Sequence, residues 1–110
     1  MINNDTICAI STPQGNGAIA VLRLSGNESI GLCDKIFKLP TEKRLIDQQP
    51  NTLHFGNLVD GDRIVDEVVV SIFKGPKSYT GEDVVEISCH GSIYIQQQIL
   101  QLLIKNGARL

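Results

Sequence analysis

The chain has no surplus of positive charge. Ten Lys and Arg stand against twelve Asp and Glu over 110 residues, a formal net charge of −2. A chain-wide basic footprint for gripping nucleic acid is therefore absent. No apolar run approaches the roughly 20 residues that span a bilayer, so no membrane association is expected. Met1 to Thr6 includes Asp5 and no basic residue, so a signal peptide is not expected. Cysteine is scarce, with Cys8, Cys33 and Cys89 widely spaced among apolar neighbours. An odd count without a CxxC spacing fits neither a disulfide framework nor a common zinc site. Buried thiols in a reducing, cytoplasmic compartment are the expectation. The phosphate loop GxxxxGK(S/T) is missing, so these residues are expected to hydrolyse no GTP. No internal repeat or low-complexity segment occurs.

What is present is the composition of an ordinary globular domain, 42% hydrophobic and 20% charged. A chain of this length buries roughly two thirds of its unfolded surface, enough for one core. Asp5 to Ser11 reads as a strand, and Ala18 to Ser25 as a second one beyond a Pro- and Gly-punctuated loop. Asn27 or Ser29 is the expected cap of a helix running to about Lys38, with Ile30, Cys33, Ile36 and Phe37 forming one apolar stripe. Pro40 stops it, and the polar stretch Thr41 to Asn51 reads as a connection. Leu53 to Asp60, Ile64 to Phe73 and Asp83 to His90 are strands, with a turn at Gly61-Asp62. Ser92 caps a last helix whose buried face is Ile95, Ile99, Leu102 and Leu103, widened by Leu100 and Ile104, and Gly107 suits its C-terminus. The order ββαβββα predicts an α+β fold, a mixed sheet of about five strands with two helices packed on it. Ala108-Arg109-Leu110 resembles an apolar segment starting again, so a domain truncated at its C-terminal end is expected.

Four places merit attention for chemistry. Gly15-Asn16-Gly17 is followed by a strand instead of a helix, which argues for a turn over a phosphate cradle. Cys89 and His90 are adjacent on a strand, so their side chains diverge and make a poor nucleophile–base pair. His90 with Gly91, at the end of that strand, is a candidate for lining a pocket. His54 and His90 stand alone, without the clustered carboxylates a metal site needs. Alternation sends Val85, Ile87 and Cys89 to one face and Val84, Glu86, Ser88 and His90 to the other. Glu86, mid-strand, must face water, pair with a cation or meet a ligand, because an unpaired buried charge is not tolerated. Arg23 poses the same question in its own strand, and a cross-strand Arg23–Glu86 bridge answers both. Asp66 and Glu67 are expected to face solvent or a strand end. Ser78 to Asp83 is a hydroxyl-rich turn whose spacing alone names no ligand. No residue carries a clear catalytic duty.

Several ordered blocks resemble a known family. They are Asp5-Thr6-Ile7, Thr12-Pro13 with Gly15 and Gly17-Ala18-Ile19, Leu22-Arg23-Leu24-Ser25-Gly26, Tyr79-Thr80-Gly81-Glu82-Asp83-Val84-Val85-Glu86, Cys89-His90-Gly91, and Asn106 to Leu110. Together they are similar to the N-terminal domain of the tRNA-modification GTPases of the MnmE (TrmE) family. Gln14 and Asn16 stand where members often carry Pro and Arg, and Ser88 and Ser92 where His and Gly are frequent.

The resemblance implies a fold like the folate-binding domain of the glycine-cleavage aminomethyltransferases. It implies a bound reduced folate, 5-formyl- or 5,10-methylene-tetrahydrofolate, with Arg23 and Glu86 as its contacts, and a homodimer formed through this domain. It also implies that the complete protein adds helical and GTPase domains, which use GTP, magnesium and potassium. With an FAD-dependent partner (MnmG, also called GidA), that protein places a carboxymethylaminomethyl or aminomethyl group on the wobble uridine of certain tRNAs. The tRNA would be held by the full complex and not by this domain. A further family contact, a lysine beyond the last helix, has no counterpart in these residues. The alternative is a purely structural dimerisation domain in which Arg23 and Glu86 pair only with each other.

Overall fold

The structure, a computed structural model, describes residues 5–13, 15–76, 78 and 81–110. Of the residues singled out above, Met1 to Asn4, Gln14, Tyr79 and Thr80 lie outside them. The elements are β1 (Ile7–Ile10), β2 (Ile19–Ser25), α1 (Ser29–Ile36), β3 (Phe37–Lys38), β4 (Thr52–Asp60), β5 (Arg63–Phe73), β6 (Val84–His90) and α2 (Ile93–Lys105). A single 3-10 turn, Leu45–Asp47, interrupts the connection before β4. The six strands form one sheet in the order β1-β2-β6-β5-β4-β3, with every neighbouring pair antiparallel. The fold is α+β, as expected. The mixture of strand directions reduces to one parallel bridge, Ile7 to Arg109.

The sixth strand comes from the end of the expected first helix. Phe37 turns extended after Ile36 and pairs with Leu58. Its ring lies over Gly56, where an added Cβ would stand 2.8 Å from Phe37 Cζ, so the missing side chain of Gly56 makes room for it. Helix α1 has no side-chain cap. Ser29 is its first residue and donates its hydroxyl instead to the Asp83 carbonyl, at 3.0 Å. The polar connection also hides an anchor. Leu45 is buried, and the Asp34 carboxylate holds its flanks by accepting from the Arg44 guanidinium and from Ile46 N–H at 3.3 Å.

Both helices cover one face of the sheet. There, Ala20, Leu22 and Leu24 of β2 lie opposite Cys89, Ile87 and Val85 of β6, with Val70 and Ile72 of β5 beside them, all buried. The alternation expected for β6 is thus the one observed. On α2 the buried stripe is Gln96, Ile99, Leu100, Leu102 and Leu103, while Ile104 is exposed. A glutamine in that stripe has partners. Its Nε2 donates to the carbonyls of Gly15 and Gly91, at 3.1 and 3.0 Å. Ser92 caps α2 by accepting from Ile95 N–H at 3.1 Å. Past Gly107 the chain runs extended beside β1, where Cys8 N–H donates to Arg109 O and Arg109 N–H to Thr6 O.

Candidate functional site

Among the described residues the other sheet face carries no helix, and the period-2 pleat decides what stands on it. Arg23 of β2 lies directly opposite Glu86 of β6, and Ser71 of β5 opposite Glu86 on the other side. One rung further along are Val21, Ser88 and Val69. Ile19 and His90 form the next pair. Leu53 and Phe55 of β4 face Ser71 and Val69, and with Ile19 they are exposed. The face is therefore an apolar surface with an ion pair near its middle.

The Arg23–Glu86 pair makes two bonds to one oxygen. Nε and Nη2 both donate to Glu86 Oε2, at 3.0 and 2.7 Å. Glu86 Oε1 has no hydrogen-bond donor among the described residues. The side chains are 37% and 19% exposed, so the pair is partly desolvated yet open to a ligand from above. The two sequence blocks that carry them are locked together behind the sheet. Gly26 N–H donates to Asp83 O at 2.9 Å, and the Asp83 carboxylate accepts from Gly75 N–H at 3.0 Å. Gly26 has φ of 142° and approaches Asp5 O and Thr6 Cα so closely that an added Cβ would stand 3.0 Å from each. The position requires glycine on both counts.

His90 stands at the end of β6, 72% exposed along its side chain, at the rim of a cleft of about 190 Å³ lined also by Ile19, Phe55, Val69, Ser88 and Glu67. Gly91 lies beside it under the loop that precedes β2, exchanging backbone hydrogen bonds with Gly17 and Ala18. The Gly15–Gly17 loop thus has a structural duty. Asn16 Oδ1 also accepts from Ile93 N–H at 2.9 Å, at the start of α2. Cys89 points to the opposite face from His90 and is buried. Burial pushes its thiol up to about 11, away from nucleophilic use. His54 lies on the helix-covered side, with Nε2 2.7 Å from Thr52 Oγ1, and burial lowers its pKa. Among the described residues no three His, Cys, Asp or Glu gather as metal ligands, and no helix is long and apolar enough to cross a membrane.

Sequence patterning does not find Asp66. The ladder slips between Leu58 and Val59, so that Val65 is an extra residue in β5. Asp66, on the in-register side of that slip, reaches the end of β6, where its carboxylate accepts from His90 N–H at 2.9 Å and meets His90 Nδ1 at 2.7 Å. A larger concavity, about 490 Å³, opens on the helical side between α1 and the end of α2. Its walls include the Asp34–Arg44 pair, and it lies on the opposite side of the sheet from Arg23 and Glu86. Both oxygens of Asp34 already accept hydrogen bonds, whereas Glu86 Oε1 has no donor among the described residues, and the open sheet face is the better candidate.

A six-stranded antiparallel sheet with helices on one face and a half-buried ion pair on the other defines an α+β domain. The family model described as "GTP-binding protein TrmE N-terminus" matches residues 6–110, and the chain belongs to that family. It is 56% identical over its whole length to the tRNA modification GTPase MnmE of Flavobacterium johnsoniae, covering 24% of that protein. It is 54% identical over 96% of its length to the MnmE of Bacillus subtilis, again covering 24%. To that of Bacteroides thetaiotaomicron it is 54% identical over 99%, covering 23%. The chain therefore spans about a quarter of the length of these relatives.

Proposed function

We propose that this chain is the reduced-folate-binding and self-association domain of a tRNA-modification GTPase. The observation that carries the proposal is the Arg23–Glu86 pair on the uncovered sheet face, with Glu86 Oε1 lacking a donor among the described residues. A pterin presents adjacent N–H donors that one carboxylate accepts together, and the second oxygen of Glu86 suits that role. A guanidinium recognises a carbonyl or carboxylate in its plane, which suits Arg23 to another polar edge of the folate. Reduced folate, as the 5-formyl or 5,10-methylene form, supplies a one-carbon unit when bound. This chain's part is to hold it. The exposed Ile19, Leu53 and Phe55 on the same face support a homodimer formed over the ligand.

The wider role rests on the family resemblance, and the relatives' names support its coarser part, tRNA modification by a GTPase. The complete protein hydrolyses GTP, with magnesium and potassium, in a separate domain. Together with an FAD-dependent partner it modifies the wobble uridine of certain tRNAs in the cytoplasm, adding a carboxymethylaminomethyl or aminomethyl group. The tRNA is gripped by the complex, in keeping with the net negative charge of this chain. One observation favours a second reading, a structural dimerisation domain without ligand: Arg23 and Glu86 already bind each other.

Calorimetric titration of the full-length protein with 5-formyltetrahydrofolate separates the two. Saturable binding that Arg23→Ala and Glu86→Ala each weaken at least tenfold supports the folate site. Binding that neither substitution changes, or no binding by the unsubstituted protein, rejects it.

A further inference from the structure

The cleft beside His90 has a feature that a passive surface does not need. Asp66 is 9% exposed along its side chain, and both its oxygens are turned to one residue, His90. A carboxylate accepts, so the ring nitrogen 2.7 Å from it must donate, and Nδ1 carries a proton. His90 lines the cleft, and its Nε2 remains as the other ring nitrogen, without a partner among the described residues. Below the imidazole the cleft is apolar, walled by Ile19, Phe55 and Val69. A flat apolar group with a hydrogen-bond donor at its end fits such a lining.

The cleft shares the open face with the ion pair. Glu86 and His90 are four residues apart on β6, about 13 Å at roughly 3.3 Å per residue. Between them the floor is Val21, Ser88 and Val69. An extended folate has its benzoyl ring and the adjoining amide at that order of distance from its pterin edge.

We propose that this cleft seats the aminobenzoyl ring of the folate and that His90 Nε2 accepts the hydrogen bond of the benzoyl-glutamate amide N–H, with Asp66 fixing the tautomer. This rests on the folate reading of the Arg23–Glu86 pair. Asp66 is a positioning residue. Its replacement by asparagine presents an N–H to Nδ1, moves the ring proton to Nε2 and turns the acceptor into a donor.

The test is equilibrium binding of two ligands to the full-length protein, 5-formyltetrahydrofolate and 5-formyl-6-methyltetrahydropterin, which lacks the aminobenzoylglutamate. The expected result is that the protein prefers the complete folate at least tenfold. His90→Ala and Asp66→Asn should each cut that preference about fivefold and leave pterin affinity unchanged. Unfolding or loss of a dimer weakens both ligands alike, so the ratio isolates the cleft. A preference undiminished in both variants overturns the proposal while the folate site at Glu86 stands. Absence of binding by either ligand to the unsubstituted protein overturns both.

Discussion

Gly91→Ala is expected to be the most damaging single methyl added to this sheet. A Cβ at Gly91 would stand 2.2 Å from Gly17 O, 2.6 Å from Gly17 C and 3.0 Å from Ile19 N. All three are backbone atoms and cannot swing aside as a side-chain end can. Restoring ordinary contact requires the loop to withdraw by about 1 Å. That breaks Gly17 N–H to Gly91 O, now 3.0 Å, and Gly91 N–H to Ala18 O, now 3.2 Å. It also disturbs buried Gln96, which ties the Gly15 and Gly91 carbonyls together. Two hydrogen bonds at about 1 kcal/mol each, with about 1–3 kcal/mol for overpacking, outweigh the gain of about 0.4–1 kcal/mol from a stiffer unfolded chain. The net loss is about 3 kcal/mol, a large share of the roughly 5–15 kcal/mol that holds a domain of this size. In urea unfolding followed by circular dichroism, the midpoint should fall by about 2 M at an unchanged slope. Gly61→Ala is the control. Its φ is 63° with nothing within 4 Å of the added Cβ, so it costs only the backbone conformation, about 1 kcal/mol. A midpoint shift for Gly91→Ala no larger than the control's would refute the close-approach argument.

Two further outcomes test the electrostatics of the core. Burial raises all three thiols, Cys33 to about 12 and Cys89 to about 11, so native protein at about pH 8 should release almost no thiol to Ellman's reagent, whereas denatured protein releases three equivalents. Rapid titration of the native state would contradict the burial. Burial lowers the pKa of His54, so the folded chain binds fewer protons there than the unfolded one. Stability should fall as pH drops through about 6.5, and thermal melts between about pH 7.5 and 5.5 should show a shallower decline in His54→Gln. An identical decline in that variant would mean His54 titrates alike in both states.

The strands and α2 were legible in the sequence because each carries one period along most of its length. Period 2 in β6 separates Val85, Ile87 and Cys89 from Glu86, Ser88 and His90, and Ser92 and Gly107 mark the two ends of α2. The Arg23–Glu86 bridge was also within reach, since a charge in the middle of each of two apolar strands requires an answer, and antiparallel pairing puts the two side by side. The 3-10 turn at Leu45, the strand at Phe37 and the partners of Gln96 were not. Each depends on a group distant in the chain: Asp34 for the turn, Gly56 for the aromatic ring, Gly15 for the amide. Gln96 does leave a trace, a polar residue within the apolar stripe of a helix, which marks a buried side chain in need of partners.

Local sequence determined which residues share a face, because side-chain direction follows from backbone period alone. Only tertiary structure decided which face stays uncovered and which groups meet on it. Asp66 meets His90 across 24 positions in sequence, and no local pattern encodes the pairing of β5 with β6 that brings them together.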